Sequence, residues 1–281
     1  MSEATAIRSS EDVEEIEIEL LLDGIYRRYG ADFRGYARAS IRRRLWNMVR
    51  EEKLTTISAL QSKVLHEPEA MERLVRHLSV SVTTMFRDPP FFRSFGANVV
   101  PHLRSVPFVR IWAAGCSTGE EVYSLAILLH QAKLFDRCRI YATDMNLEVV
   151  ERARAGIFPA SQMQEYAQNY LASGGTADFH EYYVEQYEHA FFKQWLRRNM
   201  VFAQHNLAVD GSFNEFNAVV CRNVMIYFDV ELQARAHELV LQSLRRGGFL
   251  CLGRRESLRG CPAPEVYETI DEKERIFRRV G

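Results

Sequence analysis

Residues that could hold a charged nucleotide-like ligand fall in two places. Gly115-Cys116-Ser117-Thr118-Gly119 follows the apolar run FVRIWAA (108–114) and precedes a helical pattern from Glu120 to about Ala132. A glycine-bearing turn between strand and helix lets backbone approach a ligand closely, with the helix N-terminus facing it. The pattern is not GxGxxG, and Glu120 and Glu121 put carboxylates where a diphosphate would otherwise sit. They repel a dinucleotide and suit ammonium and sulfonium charges. Both glutamates also favour the helix dipole, and for Glu121 that is the reading adopted. Asp144 ends a second apolar run, CRIYATD (138–144), 25 residues beyond Gly119. An acid at such a strand end accepts ribose hydroxyls. It also caps helices, but beside the glycine loop the ribose role is preferred. Together these groups point to S-adenosylmethionine, and Gly115, Glu120 and Asp144 are its candidate contacts.

A third stretch competes for the chemistry. DPPF (88–91) has the form of the loop that receives an amine in methyltransferases acting on DNA bases. Such a loop must follow a sheet strand. MERLVRHLSVSVTTMFR, ahead of Asp88, begins as an amphipathic helix and ends in polar threonines. The strand that should carry a reactive loop, FNAVVCRN (216–223), ends instead in CRNVMIYF. DPPF is therefore expected to be a joint between domains.

These positions need elements to hold them. The chain has 281 residues, 47% apolar and 26% charged, enough for one large or two modest domains with real cores. A net charge of −1 gives no overall attraction to nucleic acid or anionic membrane. No stretch approaches a membrane span, and the acidic N-terminus lacks a signal-peptide layout, so a cytoplasmic location is expected. Five scattered cysteines, without CxxC spacing, and eight dispersed histidines predict no metal and no disulfide framework. Residues 1–14 read as a disordered acidic tail. Ile18, Leu21, Leu22 and Ile25 make a helical stripe, followed by Ile41, Leu45 and Met48, by Ile57, Leu60 and Val64, and by Met71, Leu74, Val75 and Leu78. Pro68 suits the first turn of the last helix. An all-helical domain over 15–82 and a linker over 83–107 are predicted. From 108 to 281 strands alternate with helices (146–155 and 229–245 after the second and third strands), which means a parallel sheet covered on both faces. GGFLCLG (247–253) and ERIFRRV (274–280) are expected to pair as a closing hairpin, the ending of the Rossmann-like class I methyltransferase fold. Residues 156–205 form an irregular insert. Its aromatic-rich centre, 179–202, reads equally as a small β-subdomain or an elaborated crossover.

AAGCSTGEEVYSLA, ATDMNLEVVERA, QHNL and CRNVMIYFD, in that order, resemble the chemotaxis receptor glutamate methyltransferases, the CheR family, and SVTTMFRDPPFF resembles that family's interdomain segment. The likeness runs from about residue 20 to 281. It implies transfer of a methyl group from S-adenosylmethionine to glutamate side chains on the cytoplasmic helical bundle of chemoreceptors, giving methyl esters, by a cytoplasmic monomer that neither binds nucleic acid nor inserts into membrane. Ser81, Thr83 and Arg87 align with linker positions reaching the cofactor, Arg87 toward its carboxylate. Glu120 aligns with a contact to the methionine moiety and Asp144 with the ribose contact. Asn206-Leu207 and Arg222-Asn223 align with positions around the adenine and the sulfur. A domain-bridging salt bridge for Arg87 and a turn for Asn206 are the minority readings, given the surrounding pattern.

Helix 34–50 carries Arg34, Arg38 and Arg42 at four-residue spacing, with Arg43, Arg44 and Arg50 nearby. Unaided, such a stripe is a solvated face; the resemblance implies that Arg34, Arg38, Arg42 and Arg43 dock a glutamate-rich partner. It also makes 179–202 a β-subdomain that in some members binds a receptor peptide by strand addition. Ser81, Val122, Arg254-Arg255 and Asn47 depart from the family's usual asparagine, proline, His-Ser and arginine. A glutamate is ionised at neutral pH, so the transfer needs no general base, and positioning dominates. Arg222 and Tyr227 are the candidates for groups beside the incoming carboxylate. The rival readings are a non-catalytic adaptor or cofactor sensor of the same fold and, less favoured, an RNA methyltransferase.

Overall fold

The computed structural model describes residues 10–78 and 83–281. The chain divides into two compact units, one of residues 1–80 with 227–232, the other of 81–226 with 233–281.

The first unit is helical. Helices α1 (Ser10–Tyr29), α2 (Arg38–Glu51), α3 (Ile57–His66) and α4 (Pro68–Leu78) bury the predicted stripes, Ile18, Leu21, Leu22 and Ile25 among them, except for the half-buried Val75. Thr56 caps α3 by accepting the Ala59 N–H at 3.0 Å. In place of the acidic tail expected to reach residue 14, α1 begins at Ser10 and Glu14 is tied to α2; the rest of the expected tail lies outside the described residues. Helix α2 starts at Arg38, so Arg34 lies in the preceding turn and not on the basic stripe. The returning segment 227–232 completes this unit. Phe228 packs edge-on to Tyr36 at 5.2 Å between ring centroids, and Tyr36 likewise to Phe33 at 5.3 Å. A single main-chain bridge also joins Tyr36 and Phe228.

The second unit is α/β. It opens with a segment expected as a linker, which instead belongs to its core. Met85 and Phe86, then Phe91 and Phe92 of α5 (Pro89–Ser94), then Phe95 and Val99 of a π-helical turn leading into α6 (Val100–Arg104), are all buried. The strands and helices that follow are β1 (Val109–Ala114), α7 (Glu120–Gln131), β2 (Cys138–Asp144), α8 (Leu147–Ala155), β3 (Ile157–Pro159), α9 (Met163–Ala172), β4 (Tyr183–Gln186), β5 (His189–Phe192), α10 (Gln194–Arg197), β6 (Met200–Gln204), β7 (Phe216–Cys221), α11 (Val230–Ser243), β8 (Leu244–Leu252), β9 (Tyr267–Asp271) and β10 (Ile276–Arg279).

Seven strands form one sheet in the order β6-β2-β1-β7-β8-β10-β9, and β3-β5-β4 form a small antiparallel sheet. The first five strands of the large sheet are parallel, and β10 is antiparallel to both neighbours. All six residues of β7 are buried, as a strand covered on both faces requires. Two expectations are corrected. The 247–253 and 274–280 runs are antiparallel neighbours but not a hairpin, because β9 intervenes in sequence and β10 inserts between it and β8. The insert is a real β-subdomain, yet it starts at β3 and ends before β6; Met200–Gln204 is the edge strand of the large sheet, paired with β2. Among the described residues no helix is long and apolar enough to cross a membrane, no cluster of metal-ligand type occurs, and all five cysteines are buried free thiols.

Candidate active site

Parallel strands put their C-terminal ends on one edge, and the sheet order reverses beside β1, which opens a crevice there. Ala114 of β1 lies beside Thr143 of β2, Asp144 beside Gln204 of β6, and Ala113 beside Val220 of β7. The loops after these four strands carry the sequence-predicted groups Gly115, Asp144, Asn206-Leu207 and Arg222-Asn223.

Gly115 adopts φ +77°, and a Cβ there would collide with the Val224 side chain, so only glycine brings the first loop against the loop after β7. Gly119, at φ +99°, precedes α7 and lets the helix start close against Ala153. Glu120 is 5% exposed; its carboxylate accepts the Thr118 hydroxyl at 2.7 Å and lies 3.4 Å from the Tyr166 hydroxyl. Burial pushes its pKa above the ordinary carboxylate value. Asp144 accepts the Ser117 N–H and the Asn146 N–H, each at 3.0 Å, one on each oxygen. Burial raises its pKa too, against the pull of those N–H groups. Each oxygen keeps acceptor capacity for a hydroxyl.

The His205 N–H donates to the Asp144 carbonyl at 3.0 Å, which draws the Asn206-Leu207 loop to the same edge. Asn206 makes a tight turn, its side-chain oxygen accepting the Ala208 N–H at 2.9 Å, and Leu207 is buried. The turn reading of Asn206 thus holds alongside its place in the crevice. Thr83 is half-buried at the start of the described segment, with Thr84 donating to Glu165 at 2.8 Å. Ser81 lies outside the described residues.

Arg222 has a task the sequence did not reveal. Its side chain is 1% exposed, its two terminal nitrogens donate to Asp88 and Glu121 at 2.8 Å each, and its guanidinium lies 3.9 Å from the centroid of the Phe91 ring. Both outer nitrogens are therefore committed to carboxylates of the chain itself, and Arg222 is a tie between the segment before α5, helix α7 and β7. The expected contact with an incoming carboxylate is replaced by this one. Glu121, expected to serve the helix dipole, is instead Arg222's partner; burial raises its pKa, while Arg222 and Arg87 oppose the rise. Tyr227 groups with the helical unit. Its carbonyl accepts the Ala37 N–H at 2.8 Å, and its ring lies 5.1 Å from the Arg44 guanidinium, a packing arrangement.

One functional group was missed altogether. The buried carboxylate of Glu256 accepts the backbone N–H groups of Asn223, Val224, Met225 and Gly253 at 2.9, 2.8, 2.9 and 2.5 Å. It fixes the loop after β7 and holds Asn223 at φ +60°. The neighbouring Arg254 and Arg255 point outward, Arg254 pairing with Glu274 at 2.6 Å.

The crevice fits an adenosyl ligand with a cationic end. Asp144 offers acceptor capacity at the strand tip, Glu120 a buried carboxylate at the helix start, and Ser117 Oγ is buried without a partner beside them. This sheet order, with the acid after β2 and the glycine turn after β1, defines a class I S-adenosylmethionine-dependent methyltransferase. The profile of the CheR methyltransferase SAM-binding domain matches residues 81–275, and that of the CheR methyltransferase all-alpha domain matches residues 16–79. The chain belongs to the CheR methyltransferase family, and S-adenosylmethionine is its cofactor. A Pseudomonas putida protein named as a methyltransferase, Cher3, is 46% identical over 96% of this chain and 99% of its own length. Chemotaxis protein methyltransferase 2 of Pseudomonas aeruginosa is 31% identical over 76% of each chain. The chemotaxis protein methyltransferase of Listeria monocytogenes is 28% identical over 83% of this chain and 87% of its own.

Proposed function

We propose that the chain methylates glutamate side chains on the cytoplasmic helices of chemoreceptors, forming glutamyl methyl esters. Relatives named as chemotaxis protein methyltransferases support this reading. The observation that carries it is the exposed face of α2, whose chemistry is that of a glutamate receptor. Arg42 grips the Glu14 carboxylate at 2.5 and 2.6 Å, Trp46 Nε1 donates to it at 2.7 Å, and Arg38 lies 3.2 Å from Glu15 and 3.4 Å from Glu19. These contacts of Arg38 and Arg42 support a glutamate-bearing partner for the face, with Arg43 exposed beside them. Arg34 lies in the turn before α2, paired with Asp32 at 2.9 Å and stacked 3.8 Å over Tyr26.

When bound, S-adenosylmethionine supplies a methyl group on a sulfonium and departs as S-adenosylhomocysteine. Asp144 would hold the ribose, Glu120 the cationic methionine end, Leu207 a wall against the adenine, and Arg87 the ligand's carboxylate. Arg222 and Glu256 hold the loops that shape the crevice. An acceptor glutamate arrives ionised and its charge is neutralised in the transfer, so no residue need move a proton. Exclusion of water and in-line placement supply the rate.

The test incubates the protein with labelled S-adenosylmethionine and receptor cytoplasmic fragments, and follows base-labile methyl groups. Incorporation at glutamates is expected. Firm S-adenosylhomocysteine binding without incorporation into any fragment would favour an adaptor that senses the cofactor.

A further inference from the structure

The residues of α1 ahead of Ile18 are attached in an unusual way. Segment 10–19, SEDVEEIEIE, holds six carboxylates and no basic residue. Ile18 is its first buried side chain; Val13 and Ile16 are exposed. The first two turns therefore have no apolar anchor. What holds them is polar: Glu14 on Arg42 and Trp46, Glu15 on Arg38, and Glu17 on the backbone N–H and hydroxyl of Ser58 at 3.1 and 2.5 Å. Beyond Ile18 the helix is locked by Leu21, Leu22 and Ile25. These turns only extend a helix already anchored beyond Ile18, so what seats them against α2 is a set of ion pairs with partly exposed partners, which salt weakens.

We propose that residues 10–17 are an intramolecular stand-in for an acidic partner helix, seated on the basic α2 face and displaced when a glutamate-bearing helix docks there. The proposal rests on the reading of α2 as the docking face. Its chemistry is matched on both sides, since the occupant presents glutamates on a helix and a partner must do the same. The consequence is a threshold. A single exposed glutamate does not displace the stand-in, whereas a helix presenting several carboxylates to Arg38, Arg42 and Trp46 at once does.

Two measurements on the full chain decide it. Amide hydrogen exchange at 0.1 and 1 M NaCl should show residues 10–17 losing protection in high salt while 21–25 keep theirs; equal protection at both salts would mean that charge is not what holds the segment, and would overturn the proposal. The second compares the wild type with the double variant Glu14→Gln, Glu15→Gln for binding of a labelled, glutamate-rich helical peptide, followed by anisotropy. Binding should tighten about 3–10-fold in the variant, as expected for removing a weak competitor, with S-adenosylhomocysteine affinity unchanged as the check of folding. The single Glu14→Gln variant should show a smaller shift in the same direction. Equal or weaker peptide binding in a folded variant would overturn the proposal. Methyl transfer is read separately: tighter peptide binding without any methylation would sink the glutamate methyltransferase reading and leave the stand-in intact.

Discussion

Arg222 and Asp88 meet at 2.8 Å across 134 positions of sequence, and the same guanidinium holds Glu121 at 2.8 Å. The contact explains why a proline-rich segment that reads as a joint is part of the catalytic unit. Asp88 precedes Pro89-Pro90 in a left-handed conformation, φ 59°, which aims its carboxylate back at Arg222. Phe91 then lies against the guanidinium.

Removing Arg222 leaves Glu121 buried with only the weaker pull of Arg87 against its charge. Breaking a buried pair in this way costs about 3–5 kcal/mol. Arg222→Ala is expected to lower stability by that order in urea unfolding, and Arg222→Lys by less, since a lysine satisfies one carboxylate and not both. A loss under 1 kcal/mol for Arg222→Ala would mean the tie is not structural.

Asp144 and Glu120 make cofactor binding pH-dependent. Burial raises both pKa values in the free protein, and a bound ligand that donates hydroxyls and brings an ammonium favours their ionised forms. Binding therefore releases protons between the ordinary carboxylate range and the raised free-state values, and affinity falls as pH drops through that window. Calorimetry of S-adenosylhomocysteine in buffers of different ionisation heat should show the release. Asp144→Ala should weaken binding roughly 10–100-fold, the loss of one to two charge-assisted hydrogen bonds, and should reduce the proton release. Unchanged affinity would remove Asp144 from the site.

Periodicity made the helices and parallel strands legible, because Ile18, Leu21, Leu22 and Ile25, or the run FNAVVC, can be buried in only one way. The crevice was legible as far as its residues sit at strand ends: Gly115, Glu120, Asp144 and Asn223 all lie on the edge where the sequence put them. What stayed hidden were contacts made across sequence. Nothing near Arg222 announces Asp88, and nothing in GRRES separates the inward Glu256 from the outward Arg254 and Arg255. The small strand β9 escaped because YETID (267–271) alternates too briefly, and Arg34 was over-read because four-residue spacing continues through a turn as easily as through a helix.

His237 gives stability its own pH dependence. It is 1% exposed on α11, its Nδ1 has no partner, and burial lowers its pKa below the usual 6.5. Folded, it stays neutral where the unfolded chain takes up a proton. Its contribution is thus full above about pH 6.5 and lost as pH falls below that value. The buried carboxylates Glu120, Glu121 and Asp144 act in the opposite sense, their raised pKa values favouring the folded state as pH falls. A comparison isolates the histidine: between pH 7.5 and 5.5 the wild type should lose more urea stability than His237→Gln. Parallel curves would show that the imidazole is not held neutral.

Glu256 acts through the loop it holds. Four backbone N–H groups converge on one carboxylate, three of them from the turn that carries Asn223 into the crevice. Each donor left unmet when buried costs about 1–3 kcal/mol, so Glu256→Ala is expected to unfold the loop or the domain. Glu256→Gln is the more informative change, because it keeps the shape but replaces one acceptor oxygen with a donor facing N–H groups. It leaves two of the four N–H groups unmet and should lose about 2–6 kcal/mol of urea stability, and, where folded, bind S-adenosylhomocysteine at least tenfold more weakly, because Asn223 no longer has a fixed φ. Glu256→Asp keeps the charge and shortens the reach, and should recover part of that affinity. Cofactor binding equal to wild type in Glu256→Gln would show that the loop needs no such anchor and that Asn223 is positioned by Gly115 and Val224 alone.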